Sequence, residues 1–142
     1  MWADSLFSAE RQHLILLLTW SIASLVAGSA LGIVLLARGV KSSLLRHFAA
    51  QFVLWGVVEA SIAGVSWRTL RLRDAAAAAQ LEHALWMNVG LEFGYIAVGA
   101  TLAFTGWFAA RRLGPVGAGA AVAAQGIALL LLDVRFLSAI AG

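Results

Sequence analysis

Four apolar runs divide this chain, and their lengths constrain its fold more than any other feature. Residues 14–37 carry no charge, 48–67 are interrupted only by Glu59, and 84–110 only by Glu92. The fourth run, about 115–137, is uncharged as far as Leu132 and then meets Asp133 and Arg135. A helix rises ~1.5 Å per residue, so about 20 residues cross a ~30 Å hydrocarbon core. Each run is therefore long enough to span. Only 12% of the residues are charged and 62% are hydrophobic, whereas about a quarter are charged in an ordinary soluble domain. The expected fold class is all-α: an integral-membrane, up-down four-helix bundle with short loops, forming one domain over 1–142.

The connections RGVKSSLLRH, RTLRLRDAAAAAQLEH and RRLGP are short, which makes successive helices antiparallel and puts both termini on one side. The alanine run at 75–79 favours helix, so the third helix is expected to begin ahead of its apolar run. Gly114-Pro115 reads as punctuation, glycine suiting a helix end and proline a helix start. We call the face with the termini and the 68–83 connection side A, and the opposite face side B. Side A carries Arg11, Arg68, Arg71 and Arg73, with Arg135 if it reaches that level; side B carries Arg38, Lys41, Arg46, Arg111 and Arg112. This near tie in basic residues leaves orientation undetermined. It would also suit insertion both ways round, as in an antiparallel homodimer.

Several classes are excluded or disfavoured. There is no cysteine, so disulfides, thiolate metal sites and cysteine nucleophiles are ruled out. The net charge of +3 comes from basic residues beside apolar runs rather than from a nucleic-acid-binding block; the lipid bilayer, not nucleic acid, is the expected partner. The opening MWADSLFSAERQ lacks a basic leader and reads as a short interfacial anchor on Trp2, Leu6 and Phe7, not a cleaved signal. No H-E-x-x-H, Glu-x-x-His pair, G-x-S-x-G or phosphate loop is present, so the chain is not read as an enzyme and no cofactor or metal is assigned.

The candidate site comes from the polar residues inside the runs. Glu59 lies nine residues before Arg68 and Glu92 nine after His83, which places both ~13 Å below side A on consecutive helices. Gln125 is ~15 Å in from side B, and Ser24 is at similar depth on the first helix. Asn88, Glu92 and Tyr95 are spaced i, i+4, i+7 and share one stripe, as do Gln51, Trp55 and Glu59. A carboxylate in hydrocarbon costs at least about 2.5 kcal/mol, so such residues turn inward and pair. Two facing glutamates cannot both ionise without a cation nearby, and would titrate together. The expected site is Glu59 and Glu92 as proton- or cation-binding acids, with Asn88, Tyr95 and Gln125 as hydrogen-bonding partners. Trp55 could face a bound cation, core packing being the plain alternative. The competing reading of the whole layer is interhelical glue, at roughly 0.6–2 kcal/mol per bond.

Other polar residues read as interfacial. Asp133 and Arg135 count out to side A and are expected to be solvated. His13 and His83 fall at side A and His47 at side B, all at helix starts. A haem between His13 and His83 is conceivable, but nothing in the spacing singles it out. Trp2, Trp67, Trp86 and Trp107 lie near run ends, as an aromatic belt would have them. Ser24-x-x-x-Gly28-x-x-x-Gly32 and Gly90-x-x-x-Gly94 are small-residue ridges suited to close packing, either within the chain or between copies.

The third run, N-V-G-L-E-F-G-Y at 88–95 followed by Gly99, resembles small, uncharacterised four-span bacterial membrane proteins with an N-x-G-L-[DE]-x-G-Y pattern. The resemblance covers about one helix and implies a bacterial cytoplasmic membrane, but no activity. The overall plan is similar to that of small multidrug exporters, which keep their essential glutamate in the first helix, where this chain has none. Residues and resemblance together give the expectation of a small, oligomeric transporter or ion-binding protein. Its proton-linked carboxylate site would lie between the second and third helices, with a cationic small molecule or an ion as substrate. A lipid- or partner-binding module with a sealed polar layer is the alternative.

Overall fold

The computed structural model describes residues 2–141, so the ends of the 1–142 domain lie outside the described residues. It contains four helices, α1 (Trp2–Ala37), α2 (Ser43–Thr69), α3 (Ala75–Phe108) and α4 (Leu113–Ala141), and no strand among the described residues. All four are long and apolar enough to cross a membrane. The expected runs lie within them except at 109–110, and the helices extend farther. α1 starts at Trp2, so the supposed anchor forms its first two turns, with Leu6 buried. α3 does begin ahead of its apolar run, at Ala75.

The ends follow local chemistry. Ser42 caps α2, accepting the Leu45 N–H at 3.3 Å, and Asp74 caps α3, accepting the Ala77 N–H at 2.8 Å. α1 closes with the Val40 N–H donating to the Leu35 carbonyl at 2.9 Å, which needs Gly39 at φ 63°, a conformation glycine adopts without a Cβ clash. The Gly114-Pro115 reading is corrected. α3 stops at Phe108 and the turn runs through Arg111 at φ 48°, while Gly114 is buried inside the first turn of α4. Its glycine serves packing: a Cβ there would lie 3.0 Å from the His47 ring of α2.

The up-down order holds along the chain but not around the bundle. α1 packs on α2 and α3 on α4, and the two hairpins join through α4, which contacts α2 and α1. α2 and α3, though consecutive, bring no pair of α-carbons within 8 Å. The composition of α4 explains this wedge. Its first half is glycine-rich: a Cβ on Gly119 would collide with the α3 backbone and one on Gly126 would crowd Ile96 of α3, just as one on Gly117 would collide with the α2 backbone at Leu44. Towards side A the same helix carries Leu129, Asp133 and Phe136, which hold its neighbours apart.

The molecule is apolar outside and partly polar inside. Val26, Ile33, Leu36, Phe104 and Leu131 are each more than 60% exposed, whereas Glu59, Glu92, Asp133, Gln125, Ser21 and Ser24 are buried. Of the expected glycine ridges, Gly28 abuts Ala49 and Val53 of α2, while a Cβ on Gly32, Gly90 or Gly94 would have no described atom within 4 Å.

Candidate functional site: a carboxyl-lined cavity

The helical repeat of α1 brings Leu6, Glu10, Leu14, Leu17, Ser21, Ser24 and Gly28 onto one buried stripe. On α2 the buried stripe is Ala49, Gly56, Glu59 and Ala63; on α3 it is Leu85, Val89, Glu92 and Gly99. On α4, Gln125, Leu129, Asp133 and Phe136 follow i, i+4, i+8, i+11. Where α2 and α3 diverge, these stripes enclose a cavity of about 350 Å³ on the side A half of the bundle. Its wall includes Glu10 and His13 from α1, Glu59 and Trp55 from α2, Asn88, Glu92 and Tyr95 from α3, and Asp133 from α4. Arg73 joins them from the α2–α3 connection.

Each end of the cavity is defined by a named contact. At the inner end the rings of Trp55 and Tyr95 meet edge to face, 5.0 Å apart. Glu59 is four residues beyond Trp55 and Glu92 three before Tyr95, so both acids stand one turn above that contact, level with each other. At side A, Arg73 donates two hydrogen bonds to Glu10, 2.9 Å from Nε and 2.6 Å from Nη2. These bonds raise the pKa of the guanidinium above its ordinary value, keeping it charged. The Arg73 loop thereby lies across the side A end.

The acids do not pair as expected from the sequence. Glu92 interacts with Asp133 of α4, and Asp133 in turn with Asn88 and with His13, whose Nε2 is 3.4 Å from Asp133 Oδ1. The reading of Asp133 as a solvated interfacial charge is therefore corrected: it is only 5% exposed and sits inside the site. His13 is corrected likewise, since it lines the cavity and stacks on Phe136 at 4.7 Å. His83 remains exposed, beside its own helix's Ala79 carbonyl at 3.1 Å. Glu59 is 1% exposed, and among the described residues neither of its carboxyl oxygens makes a hydrogen bond of good geometry, although the Trp20 indole lies close enough to interact with it; Glu92 Oε2 and His13 Nδ1 are also buried without a partner. Leaving such a group unsatisfied typically costs about 1–3 kcal/mol, and more when it is charged.

Gln125 is placed elsewhere. Its Oε1 accepts the Trp20 indole N–H at 2.6 Å and its Nε2 donates to Ser24 Oγ at 3.1 Å. It belongs to a closed α1–α4 layer and does not line the cavity. Trp55, Glu59, Asn88, Glu92 and Tyr95 do come together there. The sequence reading missed Glu10, His13, Arg73 and Asp133. The signal for Glu10 was its register with Ser21, Ser24 and Gly28, and for Asp133 its register with Gln125, two turns on. Among the described residues no group of three or more His, Asp or Glu is close enough to hold a metal ion.

Fold and site together define an all-α protein with four helices apolar enough to cross a membrane and a buried acidic cavity between them. The chain belongs to a family of unknown function, DUF6992, whose model matches residues 16–134. No curated protein and no solved structure matches it.

Proposed function

We propose that the chain is an integral membrane protein, of a bacterial cytoplasmic membrane, that binds a cation in its cavity in exchange for protons, as a small transporter or ion-binding protein. The membrane setting is supported by four spanning-length helices whose exposed surface is dominated by Leu, Ile, Val, Phe and Trp. A water-soluble chain would have to hide that surface. The bacterial setting rests on the resemblance of the third span.

The observation that carries the functional reading is the composition of the cavity wall. Glu10, Glu59, Glu92 and Asp133 line it, against the single guanidinium of Arg73 and the imidazole of His13. Glu10 is neutralised by Arg73 and Asp133 faces His13, which leaves Glu59 and Glu92 without a cation of their own. In a low-dielectric interior such acids hold protons until a positive ligand replaces them, because an uncompensated carboxylate is too costly there. Tenancy of one site by either protons or a cation is the elementary requirement of exchange. Membership in a homo-oligomer is part of the proposal, since Gly90 and Gly94 leave a flat face on α3.

The test is flux in proteoliposomes. Glu92→Gln keeps the shape and removes the titrating group, so cation-driven proton movement should be lost; undiminished flux would count against the proposal. The sealed-layer reading fits a different part of the molecule, the Trp20–Gln125–Ser24 cluster, where every amide group is bonded.

A further inference from the structure

We infer that the cation is an amphiphilic organic ammonium, which enters sideways from the lipid between α2 and α3 and leaves its apolar tail in that gap. The inference rests on the cation-exchange reading and specifies its ligand.

Size argues first. A cavity of about 350 Å³ falls in the range of small-molecule pockets, roughly 300–1,000 Å³, whereas one water takes up only about 30 Å³. A bare ion would rattle in it. The acids are also distributed for an organic ligand: they come from α1, α2, α3 and α4, and no three could close on a metal ion among the described residues. An ammonium carrying several N–H donors meets dispersed acceptors one by one. Glu59 keeps two oxygens and Glu92 one that are buried without a hydrogen bond of good geometry, and an ammonium reaches them once the cavity wall shifts. The Trp55–Tyr95 pair adds aromatic surface at the inner end, which suits a positive nitrogen.

The route follows from the two ways in. At side A the Arg73–Glu10 pair lies across the cavity, and its two hydrogen bonds hold both side chains in the way of a molecule arriving from that end. The lateral way is different in kind. α2 and α3 stand apart, and the rim of the gap is Val58, Ile62 and Leu91, which are 48%, 53% and 48% exposed although they border a cavity lined with acids. An apolar rim around an acidic interior matches a molecule with an alkyl chain on an ammonium group. Neither half of that match is supplied by a hydrophilic cation or by a neutral lipid.

Covalent protection reads the site directly. In protein reconstituted into phosphatidylcholine vesicles, N,N′-dicyclohexylcarbodiimide should modify Glu59 and Glu92, as located by peptide mass spectrometry. n-Octylammonium should block that modification at a concentration about tenfold or more below methylammonium, since each buried methylene contributes about threefold to fourfold. n-Octanol should not protect. Equal potency of the two amines would overturn this inference and leave the exchange reading standing. Protection by octanol equal to that by octylammonium, or acids that never react, would overturn both.

Val58→Trp and Leu91→Trp, made separately at these half-exposed positions, narrow the gap and test the route. The octylammonium advantage should vanish while methylammonium still protects. Persistence of that advantage in both variants means the tail does not use the gap, and the inference fails. Loss of methylammonium protection in both would show that the rim is packed wall rather than an opening, which overturns it equally.

Discussion

Trp55 of α2 and Tyr95 of α3 meet edge to face with ring centroids 5.0 Å apart at an interplanar angle of 67°, bridging two helices whose α-carbons stay more than 8 Å from each other. The bridge is made by side chains alone, so it can be removed without disturbing backbone packing. Tyr95→Phe should leave thermal stability in detergent unchanged, because the ring contact survives. Tyr95→Ala should lower stability by about 1–3 kcal/mol, combining lost apolar area with an aromatic pair of about 0.5–1.5 kcal/mol. Differential scanning fluorimetry checks both, and an equal loss in the two variants would place the contribution in the hydroxyl.

Glu59 is the sharpest discriminator between a working site and a structural layer. Both of its oxygens are buried without a hydrogen bond of good geometry, so Glu59→Met should raise stability by about 1–3 kcal/mol while abolishing cation-driven flux. A drop in stability would mean that the carboxyl is held by bonds, as glue would be.

Gln125 should behave in the opposite way. Gln125→Leu strands the Trp20 indole N–H and the Ser24 hydroxyl, costing about 1–3 kcal/mol. Protection of Glu92 from carbodiimide by amines should not change, because Gln125 does not line the cavity. An effect on protection at preserved stability would assign Gln125 to the site.

The Arg73–Glu10 pair invites a double-mutant cycle. Arg73→Ala leaves the Glu10 carboxyl buried without its two donors and should cost about 1.5–3 kcal/mol. Glu10→Gln with Arg73→Ala together should cost less than the sum of the two. Additive losses would mean that the pair contributes no coupling.

Glycines that look alike in the sequence should diverge on substitution. A Cβ on Gly99 would fall 2.6 Å from the Gly119 carbonyl oxygen, whereas Gly90 and Gly94 have nothing within 4 Å. Gly99→Ala should destabilise by about 1–3 kcal/mol through overpacking. Gly90→Ala should be neutral in the monomer, or gain up to about 1 kcal/mol of helix propensity. Thermal unfolding compares them, and a loss at Gly90 that grows with protein concentration would point to contact between copies.

Much of the candidate site was legible because helical geometry is local. The i, i+4, i+7 spacing of Asn88, Glu92 and Tyr95 fixes a stripe whatever the rest of the chain does, and Trp55 and Glu59 follow the same rule. Asp133 and His13 were misread for the converse reason. Their depth was counted from the ends of apolar runs, but α1 and α4 extend past those ends and carry the buried stripe with them. Charge near a run's end looks interfacial in one dimension.

The sequence by itself determined the four helices, their antiparallel succession and the residues that share a face, since hydrogen bonding along a helix and the 3.6-residue repeat depend on near neighbours only. Which faces meet was decided by the tertiary structure. The glycines of α4 admit two neighbours at its first half, the larger side chains of its second half spread them, and the resulting gap puts Asp133, rather than Glu59, against Glu92. Close packing between helices depends on the shapes of residues far apart in the chain, and no local pattern records it.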